Sequence, residues 1–377
     1  MRSLLWIVII IIIYGSLFPF NFVWVDPADI AWLDWGFQLK QRTTNGDVLS
    51  NFLTFLPVGY IGYMLNPPAS LLDFKKVAKV IVLGGLFAYC MQVAQFFLPS
   101  RVPTVGDAWI NLWGIIIGLL AAVGVRYYLR RNPQIALEWP SVISVPILMV
   151  AFWILFQLFP FIPEFNLSNF NRALSALWQR PNWLWSEWLF LSVMWYCFFG
   201  FLRSNHWFRA TYSQLAVMIA AIFMAQILIA YKDLSLTNLL AAAGALLLFW
   251  KFPVDRWNRW HCLAIGLAIF IREIYPFNIK ADSYNFNWIP FSYYLKGSMW
   301  VNTQSFLEKV FAYGTLIFCV TEWITNRLKA IIYCLGFILL IEILQLMVSY
   351  RSADITDLLM IAIIGYTFHQ FKPVKLI

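Results

Sequence analysis

The stretch Glu342-Ile343-Leu344-Gln345, a short apolar run, and then Tyr350-Arg351-Ser352-Ala353-Asp354-Ile355-Thr356-Asp357 lies between two long apolar segments. Three acids, an amide and a guanidinium are thereby gathered at one turn between two membrane-length helices. Ionisable groups are expensive to bury at such a place, which marks it as a candidate site. From Gln345, polar residues follow six, nine and twelve places on, at Arg351, Asp354 and Asp357. The same steps from Gln95 reach Arg101, Thr104 and Asp107, and from Gln226 they reach Lys232, Ser235 and Asn238. The chain reads as three copies of one unit, the middle one decayed.

Composition agrees with the two long flanking segments. The 377 residues are 62% hydrophobic and only 12% charged, the profile of a polytopic membrane protein and not of a soluble one. The net charge of +9 does not point to nucleic acid, because the basic residues fall in short loops between apolar runs. The first apolar run, Leu4 to Phe20, lacks a small-residue cleavage site and is read as a membrane helix. Five scattered cysteines with no CxxC pair indicate neither a disulfide frame nor a zinc site.

The expected fold is all-α. About 20 apolar residues span a bilayer, and on that scale twelve helices fall at 3–20, 50–65, 77–98, 107–128, 142–161, 184–202, 211–230, 235–251, 261–276, 304–322, 329–349 and 355–371. They group as three parallel four-helix repeats over 1–130, 141–251 and 261–371. In each, the first helix ends in an aromatic-Pro-Phe step (Phe18-Pro19-Phe20, Phe159-Pro160-Phe161, Tyr275-Pro276-Phe277) and a long aromatic loop follows. The second helix opens near a polar residue (Asn51, Glu187, Glu308), and the third ends with the Gln. Repeats of even helix number all point the same way.

One set of loops holds 16 of the 27 basic residues against four acids, so it is expected to be cytoplasmic together with both termini. The three polar turns then face outward. His206, His261 and His369 fall on the opposite side, which disfavours a His-based site. The outer loops carry Trp24, Trp32, Trp35, Trp178, Trp183, Trp288, Tyr293, Tyr294 and Trp300. They read either as an interfacial belt with short helices on the bilayer or as a stacking surface for a sugar or lipid headgroup.

Glu342 and Gln345 are three residues apart and share one helix face. Their counterparts are Gln92 and Gln95 in the first repeat and Phe223 and Gln226 in the second. Arg351 follows a helix C-terminus, where it can bond that helix's last orphan carbonyls and answer its dipole. Asp354-x-x-Asp357 and Thr104-x-x-Asp107 match a helix-capping pattern. Capping and dipole account for those residues but not for Glu342 within an apolar helix. Crowded carboxyls raise each other's pKa, as at many functional sites. They could serve as acid and base or hold a divalent cation such as Mg²⁺ or Ca²⁺ at Glu342, Asp354 and Asp357. No resident cofactor is otherwise indicated. After Asp107, the stripe Asn111, Gly114, Gly118 reads as close helix packing, with a ligand groove as the alternative.

Asn51-Phe52-Leu53-Thr54-Phe55-Leu56-Pro57-Val58-Gly59, the run Gln95…Arg101…Asp107…Asn111…Gly114…Gly118, and above all Glu342…Gln345…Arg351…Asp354…Asp357 resemble the motifs of VanZ-like membrane proteins. The middle repeat departs from them at Phe223, Lys232 and Asn238. The resemblance implies a small multi-helix bacterial membrane unit, linked with the cell envelope and with low-level teicoplanin resistance, and brings no established chemistry. The first expectation is a protein binding a membrane lipid or lipid-linked envelope precursor at its outer face. The alternatives are an enzyme acting on such a ligand through the outer carboxylates, a lipid carrier, and a non-catalytic scaffold.

Overall fold

A computed structural model describes residues 2–24, 45–65, 73–101, 104–132, 144–179, 183–204, 210–254, 256–279, 286–295, 299–324, 326–349 and 351–370. Trp32, Trp35, His206 and Tyr350 lie outside them, as does the side chain of Trp300. The described residues form thirteen helices and no named strand. In chain order these are α1 (Arg2–Leu17), α2 (Asn45–Met64), α3 (Phe74–Phe96), α4 (Val105–Arg131), α5 (Val145–Leu158), α6 (Leu167–Gln179) and α7 (Trp185–Ser204). Then come α8 (Tyr212–Ile227), α9 (Leu236–Lys251), α10 (Arg259–Ile274), α11 (Met299–Ile324), α12 (Arg327–Gln345) and α13 (Thr356–Gln370). All but α6 answer to the twelve apolar segments. Four of them, α3, α4, α7 and α12, are long and apolar enough to cross a membrane, and several others are shorter apolar helices.

The chain divides into two compact units, residues 1–138 and 139–377. In the first, α2 and α4 touch backbone to backbone. A Cβ on Gly114 would stand 2.3 Å from the Phe52 carbonyl oxygen, and one on Gly118 2.0 Å from that of Leu56. The small-residue stripe is therefore occupied by a neighbouring helix, and Asn111 lies buried beside it. In the second unit, α5 to α13 surround one apolar core rich in aromatics, to which α6 adds Ala173. Trp153 meets Trp195 edge-on at 5.2 Å and Phe311 at 4.6 Å, so the middle and third sets of helices share this core. Rings at such separations add cohesion beyond the area they bury.

Helix α6 is the element outside the twelve. It is amphipathic and lies in the second aromatic loop, with Leu167 and Trp178 exposed and Asn169 and Ala173 buried. A polar helix with one apolar stripe beside apolar helices suits a bilayer interface.

The segment after each aromatic-Pro-Phe step runs against the segment after each Gln. Phe20, Phe161 and Phe277 all have φ near +63° (64°, 62° and 63°), and their N–H groups donate to Leu17, Leu158 and Ile274. Beyond them, Val23 donates to the Phe97 carbonyl and Glu164 to that of Leu228, while Ala230 donates to Ile162 and Ser349 to Asn278. The end of each first helix is thereby tied to the end of each third helix, and this crossing places the polar turns.

Candidate functional site

An α-helix leaves its last carbonyls without partners, and where water is scarce each one is costly. This need explains the Gln and Arg of the turn. In the third repeat, Arg351 donates from Nη2 to the Arg272 carbonyl (2.7 Å) and from Nε to that of Tyr275 (2.9 Å). Gln345 donates from Nε2 to the Glu273 carbonyl (3.1 Å) and to Glu273 Oε2 (3.2 Å). The first repeat makes the same three backbone bonds. Arg101 reaches the carbonyls of Gly15 (2.9 Å) and Phe18 (3.3 Å), and Gln95 that of Ser16 (3.0 Å). Sequence reasoning gave Arg351 the carbonyls of the helix it follows, and the structure corrects this: the carbonyls that Arg101 and Arg351 bond lie at the ends of α1 and α10.

The next layer secures the start of the fourth helix. Glu342 Oε2 accepts from the Asp354 N–H at 2.8 Å, and Gln92 Oε1 accepts from the Thr104 N–H at 3.3 Å. Thr104 caps α4 by accepting from the Asp107 N–H at 3.0 Å, as the capping pattern implies. Asp354 departs from that pattern: its Oδ1 accepts from the Thr356 N–H at 2.6 Å, two residues on, leaving Asp357 outside the cap. The backbone bond of Glu342 needs an acceptor but not a charge, since Gln92 does the same work.

The charges at Asp357 have another account. Asp357 Oδ2 accepts from Lys309 Nζ at 2.5 Å and from the Tyr313 hydroxyl at 2.6 Å. Lys309 Nζ also lies 3.6 Å from Glu273 Oε1. Asn51 donates to Asp107 at 3.1 Å, so by contact the counterpart of Asn51 is Lys309 and not Glu308. Glu308 pairs instead with Arg272, at 3.3 Å. The site thus gathers four acids (Glu273, Glu342, Asp354, Asp357) and two cations (Lys309, Arg351), where sequence reading saw three and one. Lys309 and Glu273 escaped it because each falls inside or at the end of an apolar run with no local motif. A charge within an apolar helix was itself the available signal.

These side chains line a cavity of about 210 Å³. Tyr293, Tyr294, Asn302, Ser305 and Ser352 complete its wall. Asn302 Nδ2 holds the tyrosine segment by the carbonyls of Tyr293 (3.1 Å) and Tyr294 (2.8 Å). The same segment is tied to the turn from Asn287 N–H to the Ala353 carbonyl and from Ile355 N–H to that of Asn287. Burial, with Asp357 alongside, pushes the Asp354 carboxyl above the usual carboxylate range. Among the described residues no group of His, Cys, Asp and Glu is arranged to hold a metal ion.

The middle repeat keeps this shape without the charge. Gln226 Nε2 donates to the Gln157 carbonyl (3.0 Å) and to its Oε1 (2.9 Å). Asn238 donates to Gln157 Oε1 (2.8 Å) and accepts from Trp195 Nε1 (2.8 Å). Gln157, Asn238 and Trp195 thus stand where Glu273, Asp357 and Tyr313 stand in the third repeat. Among the described residues Lys232 reaches no carbonyl, and it sits 6.0 Å over the Phe156 ring. Burial brings its pKa down to about 8. Helix α6 closes over this turn, with Asn169 donating to the Ile227 carbonyl (3.1 Å) and Arg172 pairing with Asp233 (2.7 Å).

Apolar helices joined by buried polar turns define a helical membrane protein. The VanZ/LLP1 family matches residues 5–126 and 239–368, well over half of the chain, and the protein belongs to that family. The matched stretches contain the first and third polar turns and omit most of the middle repeat. No curated protein and no solved structure matches the chain.

Proposed function

We propose that the cavity of the third repeat binds the polar head of a lipid-linked or otherwise amphiphilic envelope molecule at the outer face of the bacterial inner membrane. The observation that carries this reading is the surplus of charge over structural need. The first repeat secures the corresponding backbone N–H groups with Gln92 and Thr104 and meets Asp107 with the neutral Asn51, yet the third builds the turn from four acids and two cations around a cavity of about 210 Å³. Charge not needed for the fold points to a ligand. Tyr293 and Tyr294 offer a stacking wall for a sugar or headgroup, and apolar helix surfaces suit its hydrophobic tail.

The test uses variants that preserve hydrogen bonding. Asp354→Asn keeps a capping acceptor, since Asn and Asp cap about equally well, and Glu342→Gln copies Gln92. Both should accumulate normally in membranes and fail to restore the envelope phenotype of a deletion strain, glycopeptide sensitivity being the first phenotype to measure. Full restoration by both would mean that the turn serves the fold alone.

An enzyme acting on the same ligand is the second reading. It is favoured by Glu342 and Asp354, which share the cavity wall while Asp357 is held by Lys309 and Tyr313. In that case Glu342 and Asp354 are the acid and base, since Asp357 is already engaged.

A further inference from the structure

At the opposite end of the helices, two grooves occupy matching places in the first and third repeats. One, of about 540 Å³, lies among α1, α2 and α3. The other, of about 750 Å³, lies among α10, α11 and α12. With Gln95 set on Gln345, Lys79, Leu83 and Phe87 of the first groove fall on Lys329, Tyr333 and Phe337 of the second. With Asn51 set on Lys309, Gly62 falls on Val320, and with Pro19 on Pro276, Ile9 falls on Gly266. Both grooves are apolar along the helices and basic at one end, with Lys75, Lys76 and Lys79 at the first and Arg259 and Lys329 at the second. From Lys329 to Gln345 the helix rises roughly 24 Å at 1.5 Å per residue, so these mouths lie far from the polar turns.

We infer that each groove is a binding site for an anionic phospholipid of the leaflet that bathes the basic helix ends, its phosphate at the basic residues and an acyl chain along the groove. Exposed apolar side chains such as Leu83, Leu263 and Tyr333 are ordinary on a surface facing lipid. Two observations mark these places out. Each is concave and ends in clustered positive charge, the combination that recognises an anionic headgroup between helices. In the middle repeat the groove is closed and the shared lysine position is apolar. Ala210 stands at the position of Lys79 and Lys329, and Phe198 and Leu202, at the positions of Val58 and Gly62, are buried in the core.

The test is native mass spectrometry of the purified full-length protein with phosphatidylglycerol, phosphatidylethanolamine and phosphatidylcholine of equal acyl chains. The wild type is expected to retain two phosphatidylglycerol molecules in preference to the other lipids. Lys75→Gln with Lys79→Gln should remove one, and Arg259→Gln with Lys329→Gln the other. Each pair should weaken its site roughly thirtyfold, at about fivefold for each basic residue near an anionic headgroup. Gly266→Leu separates shape from charge: a Cβ there meets only the Phe337 ring, at 3.7 Å, so the longer side chain enters the groove. It should displace the second lipid with the charges intact, and a melting curve shows that the variant is folded. Equal retention of phosphatidylcholine and phosphatidylglycerol by the wild type would overturn the inference. So would unchanged phosphatidylglycerol binding in folded Gly266→Leu or in both charge variants.

Discussion

Arg351 is the residue on which the turn depends most directly. It satisfies the Arg272 and Tyr275 carbonyls at once, so Arg351→Ala leaves both without partners at a cost of about 1–3 kcal/mol each. Arg351→Lys, a single point donor, should recover part of the loss. Thermal unfolding in detergent is expected to rank wild type above Lys above Ala, and equal midpoints would refute the capping role. Asp354 makes a second prediction at this scale. Its carboxyl is pushed up by burial and by Asp357, so between the ordinary value of about 3.9 and the raised folded value the native protein binds more protons than the unfolded chain. Stability contributed by this group therefore falls as pH rises through that window. Asp354→Asn should flatten that part of the pH profile. An unchanged slope would place the titration elsewhere. The Gln, Arg and Asp steps of these turns were legible in the sequence because they recur at fixed spacing. Their acceptors were not, because Glu273 and Tyr275 are far off in the chain and only the crossing of α10 and α12 brings them near.

At the scale of elements, the repeats supply their own controls. Lys309 on α11 holds Asp357 on α13, while the middle repeat has Leu191 and Asn238 at these places and satisfies Asn238 from Trp195 and Gln157. Removing one member of a buried pair strands the other, at about 3–5 kcal/mol. Lys309→Leu alone should therefore lower the unfolding midpoint sharply, and adding Asp357→Asn should restore much of it. If the double variant is as unstable as the single one, Lys309 supports the fold in some way other than through Asp357. The helices themselves were plain from the sequence, since apolar length needs no tertiary information. Helix α6 was expected only as one of the short helices lying on the bilayer, because its apolar stripe is short and its fit depends on Asn169 reaching the α8 carbonyls. Charge asymmetry between loops yields one further expectation here. Single cysteines at Ser100 and Ser352 in a cysteine-free background should react with an impermeant thiol reagent on intact cells. Labelling only after lysis would invert the topology.

For the molecule as a whole, one fold of the turn is carried by three chemistries. The first repeat is mostly neutral, the middle is neutral with a lysine outside the hydrogen-bonded cluster, and the third is charged and surrounds the cavity. The middle repeat looks decayed in sequence because Phe223, Lys232 and Asn238 break the motif, but Gln226 and Asn238 both bond Gln157 Oε1, so it is a neutral form of the same shape. The central claim is that function resides in the charge of the third turn and not in its architecture. The most direct measurement replaces that charge with neutral counterparts from the other repeats: Glu273→Gln and Asp357→Asn with Lys309→Leu and Glu342→Gln in one chain, scored for membrane abundance and for restoration of a deletion strain's envelope phenotype. The account predicts a protein that accumulates like the wild type and restores nothing. Full restoration by this variant, which keeps only Asp354 and Arg351 of the six charges, would contradict it.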